Sequence, residues 1–216
     1  MKATLQDIFD QKLIAIVRGI SAKDMPEVAR ALLEGGIRMM EITYDHRSAA
    51  GKENTLWAIR SVNEAYGDTM YVGAGTVLSP EDVRQAHAAG ASYIISPDTN
   101  AEVVRETKRL GMLSMPGALT PSEVTAAYAA GADIVKLFPS AVLGAAYIRA
   151  VRAPLAHIPM SAVGGVSPEN LAEFYQAGAC CFGIGGNLVS AEAVAAKDFA
   201  KITETAARFV AARDAL

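Results

Sequence analysis

The sequence predicts a single (β/α)8 barrel, in which eight parallel strands alternate with helices. Short apolar runs without polar alternation are separated by single helical segments, which is typical of a parallel sheet covered by helices. Glycines that end helices recur at a near-constant interval, since Gly90, Gly111 and Gly131 lie 21 and 20 residues apart. With 216 residues and no linker, residues 1–216 are expected to form one domain. A doubly wound open sheet is the alternative, but it does not need eight near-equal repeats.

The first half of the chain supplies a leading helix and four strand–helix units. Residues 1–11 form the predicted leading helix, and the continuous apolar run 13–17 forms the first strand. The helix over 21–34 has Ser21 or Asp24 as its N-cap and ends at a glycine pair. Further strands are expected at 39–43, 70–73 and 93–95, and further helices at 53–65, 80–88 and 100–109. The polar segment 44–51 is predicted to be an irregular loop.

The second half repeats the same unit. Each helix is expected to end at a glycine in the left-handed conformation, after which an apolar strand begins. The predicted strands cover 113–115, 133–137, 160–163 and 181–184, and the predicted helices cover 121–130, 144–152, 168–177 and 191–212. Ser167 is the expected N-cap of the helix over 168–177, with Pro168 at its first position.

Composition narrows the classes of partner. The formal net charge is −3 and no basic cluster occurs, so neither nucleic acid nor an acidic membrane is an expected partner. The only cysteines, Cys180 and Cys181, are adjacent, and the three histidines are scattered, so no metal site is expected. The sequence shows no signal peptide and no run of 18 apolar residues, which favours a cytoplasmic protein.

Lys136 lies inside the apolar run of the sixth predicted strand, between Val135 and Leu137. Taking an ammonium group out of water is costly, so burial lowers the pKa of a lysine from its usual ~10.4. A neutral amine in an apolar pocket can attack a carbonyl and form a Schiff base. The alternative is a structural lysine whose stem crosses the core and whose ammonium reaches solvent or a carboxylate.

Glu41 is a carboxylate inside the second apolar strand, flanked by Met40 and Ile42. Burial of a carboxylate is expensive unless the group is paired or protonated. It is therefore either a general acid/base with a raised pKa or one half of an ion pair with Lys136 or Arg18. Schiff-base chemistry needs such an acid/base to move protons during imine formation and bond cleavage.

The carboxyl ends of the strands form the active site in this fold. The sequence places there a guanidinium, hydroxyls and an aromatic ring beside the amine and the carboxylate. These predicted substrate-binding residues are Arg18, Thr43, Thr76, Pro97 and Phe138. No metal-ligand cluster is found among them.

Two glycine-rich turns follow the seventh and eighth predicted strands. They contain Gly164 and Gly165 in the first turn, and Gly185, Gly186 and Asn187 in the second. Backbone N–H groups at such turns and at helix N-termini favour anions, and barrels often hold phosphate after these two strands. The alternative is that the glycines only make tight turns.

Seven segments, in this order over almost the whole chain, match the motifs of one family: Met40–Thr43, Gly73–Leu78, Ile95–Pro97, Pro116–Gly117, Val135–Pro139, Gly164–Val166 and Gly183–Gly186. In these segments the chain resembles the 2-keto-3-deoxy-6-phosphogluconate (KDPG) / 4-hydroxy-2-oxoglutarate (KHG) aldolases. These enzymes are pyruvate-dependent class I aldolases. The resemblance implies a short (β/α)8 barrel, a homotrimer and a role in carbohydrate metabolism of the Entner–Doudoroff type.

The resemblance also implies residue roles. Lys136 resembles the Schiff-base lysine, Glu41 the acid/base, and Phe138 the aromatic wall beside the imine. Thr76, with the backbone around Pro97, resembles part of the site for the pyruvate carboxylate. Gly164, Gly165 and Gly185 resemble the phosphate pocket.

The chain departs from the family pattern in two places. Many members carry an arginine two residues after the threonine of the Glu-x-Thr motif, where this chain has Asp45. The pyruvate carboxylate therefore loses its usual guanidinium unless Arg18 or Arg47 supplies one. Asn187 stands where a serine often follows the last glycine-rich turn. The configuration of the sugar acid, gluconate or galactonate, stays open.

The function expected from the sequence is therefore that of a lyase. It would cleave a 2-keto-3-deoxy-6-phospho sugar acid, or KHG, to pyruvate and an aldehyde, namely glyceraldehyde 3-phosphate or glyoxylate. No metal or organic cofactor is expected, because the covalent intermediate forms on a lysine. A sugar-phosphate isomerase or epimerase using Glu41 as base, and a non-catalytic binding protein for sugar-acid phosphates, are the alternatives.

Overall fold

Nine strands, all parallel, form the sheet at the centre of the structure, a computed structural model that describes residues 1–216. They are β1 (Leu13–Val17), β2 (Met39–Thr43), β3 (Tyr71–Gly75), β4 (Tyr93–Ile95), β5 (Leu113–Met115), β6 (Gly117–Ala118), β7 (Val135–Leu137), β8 (Met160–Val163) and β9 (Cys181–Ile184). Neighbouring strands follow the order β5-β4-β3-β2-β1-β9-β8-β7-β6.

The two strands at the ends of this order belong to one stretch of chain. Only Pro116, which has no N–H to donate to a ladder, separates β5 from β6. The strand order therefore returns to its starting point, and the sheet closes into a nearly complete barrel. The predicted (β/α)8 barrel is confirmed, with its fifth strand split at Pro116.

Helices surround the barrel and one precedes it. They are α1 (Leu5–Gln11), α2 (Met25–Glu34), α3 (Ala49–Tyr66), α4 (Pro80–Ala88), α5 (Ala101–Arg109), α6 (Pro121–Ala130), α7 (Ser140–Arg152), α8 (Leu171–Gln176), α9 (Ala191–Ala195) and α10 (Phe199–Asp214). The left-handed glycines predicted after the helices are present, with positive φ at Gly36, Gly90, Gly111, Gly131 and Gly178. Glycine is required there because other residues resist positive φ.

Some predicted helix boundaries are wrong, and hydrogen bonds explain two of them. The helix predicted over 53–65 begins at Ala49, because the Ser48 side chain accepts from the Gly51 N–H. Ser167 does not cap α8. Instead the Asn170 side chain accepts from the Ser167 N–H and donates to the Gly165 carbonyl, which delays the helix to Leu171.

Four other helices differ from the prediction. The helix predicted over 21–34 begins at Met25, and the side chain of its N-cap residue Asp24 makes no capping hydrogen bond. The leading helix begins at Leu5, where Thr4 and Asp7 form a capping box. The helix predicted to start at 144 begins at Ser140 and is kinked at Gly144. The last predicted helix is two helices, α9 and α10, because Lys197 between them has a φ of 58°.

Two layers of apolar side chains build the core. The larger layer, 53 buried residues, lies between the sheet and the surrounding helices. The smaller layer fills the barrel and contains Ile14, Met39, Tyr93, Ile95, Met115, Ile134 and Cys181 with Ala3 and Ile8. Because Ile8 lies on α1, this helix covers the amino-terminal end of the barrel. The end of the barrel formed by the carboxyl ends of the strands, which α1 does not cover, is the end available for an active site.

Alternation along the strands decides which side chains enter the barrel. Met40 and Ile42 belong to the outer layer, so Glu41 between them faces the barrel interior. Val135 and Leu137 likewise pack outward, so Lys136 also faces inward. Successive side chains of a strand point to opposite faces of the sheet, so Glu41 and Lys136 both point into the barrel.

Candidate active site

A cavity of about 400 Å³ opens at the carboxyl ends of the strands. All the predicted site residues except Glu41 and Thr43 line it, namely Arg18, Thr76, Pro97, Lys136, Phe138, Gly164, Gly165, Gly185, Gly186 and Asn187. The structure thus gathers residues from the ends of β1, β3, β4, β7, β8 and β9 around one space. Glu41 and Thr43 lie on β2 and are buried.

Lys136 provides an amine at the cavity wall. Its residue surface is only 6 % exposed, and burial lowers the pKa of its ammonium, opposed by the charge of Glu41 and aided by that of Arg18. The Nζ atom lies 5.0 Å from the centroid of the Phe138 ring. A buried amine with a lowered pKa, facing a cavity, has the properties that a Schiff-base nucleophile needs.

Glu41 is buried without a partner. It is 1 % exposed, and its Oε2 atom has no hydrogen-bonding partner. Burial raises the pKa of this carboxyl, against the opposing charges of Lys136 and Arg18. A carboxyl whose pKa is raised by burial, next to an amine, is suited to donate and accept protons during a reaction.

Glycines on β3 create the space that Glu41 occupies. A Cβ atom on Gly75 would lie 1.7 Å from Glu41 Oε1. The strands β2 and β3 pair in register, with Glu41 opposite Gly73, where a Cβ atom would lie 2.1 Å from the Tyr93 ring. The glycines of the segment 73–75 therefore admit a large ring and a carboxylate into the barrel.

No salt bridge of the structure includes Glu41, Lys136 or Arg18. The direct Glu41–Lys136 or Glu41–Arg18 ion pair, which the sequence left open as a structural alternative, is not formed. The amine and the carboxyl influence each other through charge while neither neutralises the other by contact. This arrangement leaves both groups able to titrate during a reaction.

Arg18 and Arg47 are the two arginines that the sequence offers as partners of a substrate carboxylate, and they differ in their surroundings. Arg18 lines the cavity. Arg47 is exposed and donates two hydrogen bonds to Asp45, from Nε at 2.8 Å and from Nη2 at 2.7 Å. The same contacts hold the pKa of the Asp45 carboxyl at about 2. Arg18 is therefore the guanidinium available at the cavity.

Thr76 lines the cavity, whereas Thr43 is buried on β2 and does not. The Thr43 hydroxyl donates to the Val17 carbonyl at 3.3 Å, so it fastens β2 to β1 beneath Arg18. Thr76 lines the cavity and has a φ of 55°. Its carbonyl accepts a hydrogen bond from His46.

The two glycine-rich turns face the same cavity and are joined to each other. Gly164 and Gly165 have φ of 94° and 74°, and a Cβ atom on Gly185 or Gly186 would meet nothing within 4 Å. The Asn187 Nδ2 donates to the Val166 carbonyl at 2.9 Å, which links the second turn to the first. One amide hydrogen of Asn187 is thus engaged within the protein.

Sequence reasoning missed part of the cavity wall. Ile16, Val163, Val166, Val189 and Ala191 also line it and make one side apolar. Alternation in β1 and β8 could have identified Ile16 and Val163 as inward-facing. A second cavity of about 660 Å³ adjoins the first, shares Arg18 and Thr76 with it, and is also lined by His46.

The profile of the KDPG and KHG aldolase family matches residues 5–205 of this sequence. The chain belongs to this family. It is a lyase of the class I aldolase type, and the family match covers all nine strands of the barrel. The predicted fold class, enzyme class and family are confirmed.

Two relatives represent both sugar series. The chain is 38% identical to the 2-dehydro-3-deoxy-6-phosphogalactonate aldolase of Escherichia coli strain K12 over 83% of this chain and 85% of the relative. It is 36% identical to the 2-dehydro-3-deoxy-phosphogluconate aldolase of Treponema pallidum over 89% of each chain. The aldolase is therefore similar to enzymes named for either epimer.

A solved structure shares the fold of this chain. The KDPG aldolase of Legionella pneumophila, described with pyruvate captured as a covalent carbinolamine intermediate, superposes with a TM-score of 0.84 at 25% identity. The match covers 95% of this chain and 97% of that one. In this chain, no helix is both long enough and apolar enough to cross a membrane.

Proposed function

We propose that Lys136 forms the imine of this class I aldolase with the C2 keto group of a 2-keto-3-deoxy-6-phospho sugar acid. The observation that carries the proposal is the buried Lys136 amine at the cavity, charge-coupled to an unpaired buried Glu41. The neutral amine attacks C2 to give a carbinolamine, which loses water to give the iminium. The iminium then accepts the electron pair of the bond that breaks.

Glu41 moves the protons in this scheme. It takes the proton of the C4 hydroxyl, directly or through water, as the C3–C4 bond breaks and its electron pair moves to C3. The products of this step are an aldehyde and an enamine on Lys136. Protonation of the enamine at C3 and addition of water to the imine release pyruvate and restore the amine. Atoms and electrons balance without an oxidant, a metal or an organic cofactor.

The carboxylate of the substrate is assigned to the wall formed by Arg18, Thr76 and Pro97. Arg18 supports this assignment because it lines the cavity and carries no salt bridge, whereas Arg47 is occupied by Asp45. Thr43 holds β2 against β1 behind this wall. Phe138 is assigned to the wall beside the imine, because its ring centroid lies 5.0 Å from the Lys136 Nζ atom.

The phosphate of the substrate is assigned to the two glycine-rich turns. Gly164, Gly165, Gly185 and Gly186 line the cavity and have no side chain that would cover their backbone, and no lysine or arginine other than Arg18 and Lys136 lines it. The names of the relatives include phosphate, which supports this assignment. Asn187 acts mainly by tying the turns together through the Val166 carbonyl.

A substrate panel tests this assignment. We expect pyruvate release with a higher kcat/KM for the 6-phosphates of 2-keto-3-deoxygluconate and 2-keto-3-deoxygalactonate than for their unphosphorylated forms. KHG, which would yield glyoxylate, is too short to reach the turns. Equal kcat/KM for phosphorylated and unphosphorylated acids would show that the glycines only make turns.

Asn187→Asp sharpens the test. The change places a negative charge beside the phosphate and removes the donor to Val166, so KM for a phosphorylated acid should rise roughly tenfold or more. Asn187→Leu is the matched control that removes the tie without adding charge and should raise KM less. KHG cleavage should change little in either variant, and an equal loss for KHG would contradict the assignment.

Isomerase or epimerase activity and non-catalytic binding were the alternatives from sequence. The family match and the buried amine favour the aldolase over both. We further propose that the aldolase works as a homotrimer in the cytoplasm, as the family resemblance implies.

A further inference from the structure

Thr76 is held in a backbone conformation that its residue type disfavours. Its φ of 55° lies in the left-handed region, where a β-branched residue is an outlier. Such a conformation persists only where the surrounding structure holds it in place. Thr76 lines the active-site cavity, so the contacts that hold its backbone also set the position of its hydroxyl.

His46 supplies a direct contact to this backbone. Its Nε2 atom lies 2.6 Å from the Thr76 carbonyl oxygen, and because a carbonyl only accepts, Nε2 is the donor. One residue earlier, the Tyr44 N–H donates to the Gly75 carbonyl at 2.8 Å. The His46 side chain therefore continues the β2–β3 hydrogen-bond ladder past the end of both strands.

The imidazole is itself fixed by a buried neighbour. The Tyr44 ring stacks on it at 5.6 Å between centroids and 27° between planes. Tyr44 is 3 % exposed, and its hydroxyl donates to the Asp82 carbonyl at 3.0 Å. This chain of contacts joins the Thr76 loop to α4 through two aromatic rings.

The other flank of the loop is fastened separately. The Ser96 hydroxyl donates to the Val77 carbonyl at 2.7 Å, and the Val77 N–H donates to the Ile95 carbonyl at 3.3 Å. The residue after Thr76 is thus bound to β4, and Thr76 itself is bound to the segment after β2. His46 is the side chain that holds the strained residue on the β2 side.

We propose that His46 is a positioning residue of this aldolase, which fixes the Thr76 backbone so that the Thr76 hydroxyl meets the substrate carboxylate. The inference rests on the proposed function, in which Thr76 belongs to the carboxylate wall. His46 acts through Thr76 and has no part in the proton transfers. His46 lies in the segment that follows β2, directly after Asp45.

Two variants of matched size separate the donor from the ring. His46→Phe keeps an aromatic ring on Tyr44 but removes the N–H, whereas His46→Gln keeps an N–H donor near the same place. The readout is the pyruvate concentration that gives half-maximal borohydride-trapped adduct on Lys136, together with kcat and KM for cleavage. We expect His46→Phe to raise that concentration about tenfold, the size of one lost hydrogen bond. His46→Gln should stay within about threefold of the natural protein.

A double-mutant cycle identifies the route of the effect. In the Thr76→Val background, where the hydroxyl is already absent, His46→Phe should cause no further weakening. An additive loss would overturn the proposal, because His46 would then contact the substrate directly or act elsewhere. Should His46→Phe not fold, as judged by urea unfolding, His46→Leu carries the same expectation.

The outcomes also distinguish this inference from the proposed function. If the natural protein forms no adduct on Lys136, the proposed function fails. If the natural protein forms the adduct and His46→Phe shows the same half-saturating pyruvate concentration, only the positioning role of His46 fails.

Discussion

Glu41 is held in a state that costs stability and permits chemistry. Its Oε2 atom has no hydrogen-bonding partner, and glycine at position 75 is needed to make room for its Oε1 atom. A purely structural carboxylate in this place would be expected to gain a direct partner, as Asp133 does with Lys108. The isolation of Glu41 beside a buried amine is what an acid/base requires.

Glu41→Gln should separate imine formation from bond cleavage. The amide keeps the shape but cannot titrate, so kcat should fall by ~10²–10⁴, the usual contribution of a positioned acid/base. The Lys136 adduct with pyruvate should still form under borohydride, at a lower rate. Steady-state kinetics and adduct yield measure the two steps, and a kcat near that of the natural protein would return Glu41 to a structural role.

The same substitution should change how stability depends on pH. Burial raises the pKa of Glu41 in the folded protein above its ordinary value of 4.5, so the protonated Glu41 side chain makes its full contribution to stability below that pH. The contribution is lost as pH rises through the raised pKa, because the folded protein must then bury an unpaired charge. Glu41→Gln should therefore be more stable than the natural protein at pH 8, by on the order of 1–3 kcal/mol.

Urea unfolding between pH 4.5 and pH 8 checks this expectation. The gain should shrink as pH falls, and the exposed carboxylate change Glu64→Gln should show no such trend. A gain of constant size at every pH would mean that Glu41 does not titrate in the folded protein.

The burial and inward direction of the proposed catalytic pair could be predicted from the sequence, whereas the contacts around the pair could not. Lys136 and Glu41 stand out because a charge within an apolar strand has few structural uses, and alternation fixes its direction. His46 and Asn187 carry no such signal. Their roles depend on hydrogen bonds to the carbonyl groups of Thr76 and Val166, which lie in loops far from His46 and Asn187 in the sequence.

Among the elements, α1 serves the fold and not the site. Ile8 is fully buried in the layer that fills the barrel, at the end opposite the catalytic cavity. The Tyr71 hydroxyl also donates to Asp7 at 2.8 Å, which fastens α1 to the start of β3. Stability and catalysis therefore reside at opposite ends of the barrel.

Ile8→Ala should destabilise the protein and leave the chemistry intact. Removal of a buried isoleucine side chain costs about 2–5 kcal/mol, because the cavity it leaves refills only partly. The value of kcat at 25 °C should stay within about twofold of the natural value. Gln6→Ala on the exposed face of α1 is the control, with an expected change below about 0.5 kcal/mol. A large loss of kcat in folded Ile8→Ala protein would contradict this division.

Strands were easier to predict than helix boundaries for a physical reason. Burial on both faces makes each strand an apolar run, and the glycine before it is required by a positive φ. Helix starts depend on single side-chain contacts, such as Ser48 with Gly51 and Asn170 with Ser167. Such contacts depend on loop geometry that residue types alone do not determine.

At the scale of the whole molecule, the proposed homotrimer is a property that the active-site residues do not determine. The chain exposes large apolar side chains, including Trp57 at 60% and Val142 at 82%, that an interface between subunits would cover. Sedimentation equilibrium should give three times the 22.6 kDa chain mass at micromolar concentration. A mass of one or two chains under these conditions would refute the trimer.

The proposed function rests on a Schiff base between Lys136 and pyruvate in the cavity at the carboxyl ends of the strands. The most direct measurement is borohydride reduction in the presence of pyruvate, followed by peptide mass spectrometry. We expect one reduced pyruvate adduct, located on Lys136. The Lys136→Ala variant should fold but form no adduct. An adduct on any other lysine, or no adduct in an active natural protein, would contradict it.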